Sequence, residues 1–156
     1  MQVHPHSPTS AARWSATCQA AAHLGIEIQP ALIGQLESAD STLAGGYLVA
    51  KQLLERKLSF TALFAYNDIS AIGSIRAFRE AGLRVPQDIS VVGFDDIPGA
   101  GFTNPGLSTV RQPLVKMGRI AAQTLVDRIE CGGKRVRDIT IEPEFVVRQS
   151  TGPVPS

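Results

Sequence analysis

Residues 84–113 read RVPQDISVVGFDDIPGAGFTNPGLSTVRQP. Ile89 to Phe94 is an apolar run led in by Val85-Pro86, and it reads as a buried strand. It runs straight into two carboxylates, Asp95 and Asp96. A loop rich in Gly and Pro follows at 97–106, and Leu107 to Gln112 reads as a second short strand. Acids at the carboxyl end of an apolar strand sit where open α/β sheets keep their ligands, in the crevice outside the strand ends. The run therefore predicts a sheet and a binding site at its edge.

Upstream, Thr61 to Tyr66 is a second short run of β-formers. Asn67-Asp68 follows it, with Asp68 the expected N-cap of a helix from Ile69 to Ala81 that Gly82 ends. Ala71, Ile72, Ile75 and Phe78 fall at helical spacing there. Further back, Ser38, Asp40 and Ser41 are N-cap candidates for a helix over 42–57, and Gly45-Gly46 within it suits close packing on a sheet. Ile26 to Ile33 reads as a strand, and Ala11 to Leu24 as a helix stopped by Gly25. Downstream, Pro113 opens an amphipathic helix from Leu114 to Glu130, closed by Gly132-Gly133. Asp138 to Glu142 and Glu144 to Arg148 read as two strand segments around Pro143. The order predicts an α/β fold, a mainly parallel sheet with helices on both faces. Residues 1–10 read as a mobile lead-in and the tail after 151 as disordered.

Composition narrows the function classes. At 156 residues, 44% hydrophobic and 19% charged, the chain suits one soluble globular domain. A net charge of +1 leaves no electrostatic footprint for nucleic acid. No apolar run approaches the roughly 18 residues of a membrane span, and the start has no signal-peptide core, so a cytoplasmic location is expected. Cys18 and Cys131 read as reduced structural thiols. His4 and His6 lack a third ligand for a metal, and no cofactor is expected. Enzyme readings fare poorly: the chain has no Gly-x-Ser-x-Gly elbow, phosphate-binding Gly-rich loop or His-Glu-x-x-His. His23 reads as structural. A phospho-accepting receiver domain would put its acids earlier and a Lys after a late strand.

Three polar groups remain at strand ends or helix starts: Arg13, Asn67 and Asp95. In a parallel sheet these ends converge on one edge. A carboxylate, an amide and a guanidinium there suit a neutral polyol, because together they accept from and donate to its hydroxyls. The plainer alternatives stay open. Arg13 also fits a solvated surface, and Asp96 a turn cap.

The segment TALFAYNDISAIGSIRAFREAGLRVPQDISVVGFDD, with NPGLSTVRQP, LVKMGRIAAQTLVDRI and IEPEFVVRQST, resembles the effector-binding domain of LacI-family transcriptional regulators. These share a periplasmic-binding-protein-like fold. The resemblance covers about residues 11–151. Arg13 stands where that family has the Arg of an R-x-x-G-(Y/F) helix, although its Gly is Ala16 here. The family's Leu-Thr-Thr is Leu107-Ser108-Thr109. The resemblance implies a small-molecule effector, expected to be a sugar, held by Arg13, Asn67 and Asp95, with Asp96 capping the turn or bordering a dimer surface. Leu36 stands near the family's sugar-stacking aromatic.

It also implies a homodimer, whose candidate contacts are Ile72, Ile75, Phe78, Ile97, Pro98 and Phe102; Ile72 and Ile75 equally suit a core. DNA would be reached only through a helix-turn-helix, which is expected to be missing here with most of the N-terminal subdomain. The helix over 114–131 would pack on that subdomain. Its bare stripe, at roughly 25 cal/mol per Å², predicts that it folds back on its own sheet or pairs with another copy. A solute-binding protein of a sugar transporter is the competing class, which needs an export signal.

Overall fold

The computed structural model describes residues 2–3, 8–36, 42–130 and 138–155. Its elements in chain order are β1 (Gln2–Val3), α1 (Pro8–His23), β2 (Gly34–Gln35), α2 (Leu43–Glu55), β3 (Ala62–Phe64), α3 (Asp68–Glu80), β4 (Ser90–Asp95), β5 (Ser108–Arg111), α4 (Leu114–Glu130) and β6 (Glu144–Val146). The main sheet runs β3-β4-β5-β6, and β1 pairs separately with β2. β3, β4 and β5 are parallel, while β6 returns antiparallel to β5. The register sets Leu63 beside Val91 and Asp95 beside Arg111, so the acids end at the same level as the exit of β5.

Strand alternation divides the two faces. Val91 and Gly93 of β4 turn to one side, where Ile89, Leu63, Phe78, Ile75 and Leu53 form the buried core beneath α2 and α3. Phe94 turns to the other side, under Arg13 of α1. Helices therefore cover both faces, as the order of elements implies.

The α2–α3 contact rests on two glycines. A Cβ on Gly46 would strike the Ser70 carbonyl oxygen, and one on Gly73 the Leu43 carbonyl oxygen. Ser74 Oγ lies between the helices, donating to Ser70 O at 2.8 Å and within 3.1 Å of Gly46 O. Gly46 thus serves a helix–helix approach, not packing on the sheet, while its neighbour Gly45 faces Thr42 and Leu36.

Several boundaries depart from the sequence expectation. Ile26 to Ile33 forms no strand. Pro30 starts a 3-10 turn, Pro30–Leu32, and the strand that follows is only Gly34–Gln35. Asp138 to Glu142 is also not a strand. Pro143 has no N–H to give a ladder, and pairing starts at Glu144. The first helix begins at Pro8, inside the expected lead-in. The cap of α2 is Thr42, whose Oγ1 accepts from Gly45 N–H at 2.9 Å; Ser38, Asp40 and Ser41 lie outside the described residues. So do His4, His6 and Cys131.

After β6 the chain is stitched onto the sheet. Ser150 Oγ accepts from Ser108 N–H at 2.8 Å and donates to Val91 O at 2.6 Å, and Gly152 N–H donates to Ser90 Oγ at 3.1 Å. The expected disordered tail is therefore anchored at its first residue. Of the two fates expected for α4, the first is corrected: it does not fold back on its own sheet. None of its residues is buried, and Val115, Leu125, Val126 and Ile129 are exposed. What it meets is the returning segment at Ile139 and Ile141, beside Met117 and Ile120.

Candidate functional site

Strand ends and helix starts bring the polar groups together. Arg13, in the second turn of α1, donates from Nη1 to the Tyr66 carbonyl at 2.9 Å. Its guanidinium lies 3.8 Å from the centroid of the Phe94 ring and 5.0 Å from that of Tyr66. Such stacking fixes the fork while leaving its in-plane N–H groups to donate. Nη2 stands 3.9 Å from Asp95 Oδ1, and the two side chains are 18% and 29% exposed. Gln112 Nε2 donates to the same Asp95 oxygen at 2.5 Å. Asn67 caps α3, its Oδ1 accepting from Ser70 N–H at 2.9 Å, which leaves its amide NH2 as a donor.

Asp95 and Asp96 both have positive φ, +118° and +56°. Non-glycine residues hold such backbone only where their surroundings over-determine it. Burial pushes the Asp95 carboxyl above its ordinary value, and the Asp68 charge adds to this; the Gln112 hydrogen bond and Arg13 work the other way. Burial also pushes Asp96 up, but hydrogen bonds from Arg111 and Arg148 prevail and hold it below the ordinary value.

Of the expected ligand residues, Arg13, Asn67 and Asp95 thus share one edge, and Arg13 is no free surface residue. Leu36 is corrected: it is 3% exposed and belongs to the core under α2, so its side chain presents no face to a ligand. Asp68 is not the cap. It occupies the first turn, fully buried, and accepts from Thr109 Oγ1 and from Ile97 N–H at 2.8 Å. Asp96 caps no turn either; Arg111 Nε and Arg148 Nη2 each reach it at 2.6 Å.

Gln112, Tyr66 and Phe94 are site residues that sequence reasoning missed. Gln112 comes into reach only through the β4–β5 register, which no local pattern reveals.

The expected dimer residues separate. Phe78 is fully buried, edge-to-face on Phe60 at 6.1 Å, and Ile75 is core. Phe78 is thus corrected from surface to interior, while for Ile75 the core alternative is the one that holds. Ile72 and Ile97 are half-buried, Pro98 is exposed, and Phe102 is 92% exposed. A cavity of about 390 Å³ at the far end of α1, beside Trp14, Leu24, Ile26 and Phe60, is almost wholly apolar and holds none of the site's polar residues. No described helix is long and apolar enough to cross a membrane.

A doubly covered, mostly parallel sheet with its polar groups at the strand ends defines a periplasmic-binding-protein-like domain, and the model of that domain family matches residues 2–151. The chain belongs to this family, and the solved structures similar to it include LacI-family transcriptional regulators. It is 45% identical over 114 residues to the HTH-type transcriptional regulator MalR of Streptomyces coelicolor, covering 73% of this chain and 33% of the relative. It is 40% identical over 106 residues to the ribose operon repressor of Haemophilus influenzae, covering 68% and 32%. Its fold matches a LacI-family regulator from Enterococcus faecium with bound ribose at a TM-score of 0.83 and 32% identity, covering 98% of this chain and 56% of that one. The chain thus spans about a third of the length of these curated relatives.

Proposed function

We propose that this chain is an effector-binding part of a LacI-type transcriptional regulator, and that its effector is a sugar. The observation that carries the reading is the convergence of Arg13, Asn67, Gln112 and Asp95 at one sheet edge. Asp95 accepts from hydroxyls. Arg13, held flat on Phe94, donates to a ring or hydroxyl oxygen, and the Asn67 amide donates beside it. The relatives' names and the ribose in a similar structure favour the same ligand class.

In the whole protein, effector binding would shift the population between two arrangements and so change operator affinity, with DNA held by a helix-turn-helix outside this chain. Self-association would use the exposed Pro98 and Phe102. A cytoplasmic location follows from this reading.

The test is amide chemical-shift mapping with D-ribose, D-glucose, D-galactose and maltose at millimolar concentration. At least one should move the amides of Asn67, Asp95 and Gln112 in a saturable way, and Asp95→Asn should abolish the movement. If none moves them, the reading fails.

A further inference from the structure

The excursion that carries α4 leaves the domain at Arg111 and returns at Arg148. Between these points none of its described residues is buried, and it touches the sheet through the pairing of β6 with β5. Both ends are held by one side chain. Asp96 Oδ2 accepts from Arg111 Nε and Oδ1 from Arg148 Nη2, each at 2.6 Å.

This differs from an ordinary surface ion pair, which contributes little. Asp96 is only 8% exposed, and its two oxygens serve two different segments. Arg148 is fixed independently: its Nη1 donates to the Leu107 carbonyl at 2.7 Å and its backbone N–H to Ser108 Oγ at 2.9 Å. Arg111 also pairs with Glu144 across the base of the excursion at 3.0 Å. Consecutive positive φ angles at Asp95 and Asp96 are what turn one acid to Arg13 and Gln112 and the other to the two arginines.

We propose that Asp96 is the positioning residue of the α4 arm: one carboxylate staples its exit and its return, and so fixes the arm's direction relative to the Asp95 edge. Two consecutive acids then hold two consecutive residues of the exit, Asp96 on Arg111 and Asp95 on Gln112. The inference stands apart from the identity of the effector, since its test uses no ligand.

Spin labels at Gln52→Cys on α2 and Ala122→Cys on α4, in a chain carrying Cys18→Ser and Cys131→Ser, report the arm's direction by pulsed dipolar spectroscopy. A second pair, Gln52→Cys with Gln87→Cys, reports the core. The parent should give a narrow α2–α4 distance distribution. Asp96→Asn should widen it at least twofold and leave the core pair unchanged, whereas a merely structural loss would widen both. Arg148→Gln should widen the arm distribution and Arg148→Lys should restore most of it; this pair decides the matter if Asp96→Asn does not fold. An α2–α4 distribution of equal width in parent and variants overturns the proposal.

Discussion

Replacing Asp68 tests how the site is held from beneath. Its carboxylate is fully buried at the start of α3 and takes two donors from different parts of the chain, Thr109 Oγ1 on β5 and the Ile97 N–H just past the acidic pair. Asp68→Ala leaves both without an acceptor. Each stranded donor costs about 1–3 kcal/mol, so the pair costs roughly 2–6 kcal/mol. Removing the buried charge also relieves its desolvation, which trims the upper end of that range to about 4 kcal/mol. A domain of this size has roughly 5–15 kcal/mol in total, so the alanine variant should lose a large fraction of its stability.

Asp68→Asn should do less harm. Asn offers one acceptor oxygen, and the Ile97 N–H cannot reverse, so that oxygen must turn to Ile97. The amide NH2 then faces the Thr109 hydroxyl, which can rotate to accept. The expected loss is about 1–2 kcal/mol, the difference between charge-assisted and neutral bonds. Urea unfolding followed by far-ultraviolet circular dichroism measures both variants. A loss under about 1 kcal/mol for Asp68→Ala, or an Asn variant less stable than the Ala variant, would refute the reasoning.

Gly46→Ala should destabilise by about 1–3 kcal/mol or more, because its Cβ would meet the Ser70 carbonyl oxygen and part the helices. Ser70→Ala, by contrast, should cost nothing measurable in the same melts, since the buried Ser70 Oγ has no hydrogen-bond partner among the described residues. Carboxyl titration by NMR should place Asp88, paired with Arg84, at about 2, and Asp95 above 3.8. The signs are opposite. Asp88 stabilises the fold above 3.8 and loses this as the pH falls towards about 2, whereas the contribution of Asp95 is complete below 3.8 and lost as the pH rises through its raised midpoint. An Asp95 midpoint below 3.8 would contradict the burial described for it.

Local patterns in the sequence carried most of the fold. β4, α3 and α4 lie within a residue of their expected bounds, because apolar periodicity and the breakers at Gly82, Pro86 and Pro113 are local signals. Ile26 to Ile33 misled because its composition suits a strand, whereas Pro30 commits the backbone to a turn. The site was legible to the extent that its residues stand at or near element ends: Asn67 and Asp95 do, and Arg13 lies in the second turn of α1. What pairs across the sheet was not. Asp96 looked like a turn cap because its neighbours are Gly and Pro, yet its partners lie 15 and 52 residues away. Asn and Asp serve equally well as caps, so the sequence alone does not separate Asn67 from Asp68, and only the backbone of Asn67 decides between them.

The stitch made by Ser150 has a consequence for the order of folding during synthesis. Val91 and Ser108 receive their Ser150 partners from 59 and 42 positions downstream. Parallel pairing of β4 with β5 can begin once Arg111 has emerged from the ribosome, but the groups that seal their edge emerge only after all of α4. Throughout that interval the nascent chain presents an open sheet and a bare amphipathic helix together, the combination that invites aggregation and chaperone capture. Closure of this lobe therefore awaits residues 148–152, and translation speed through 112–147 sets how long the unfinished edge is on display.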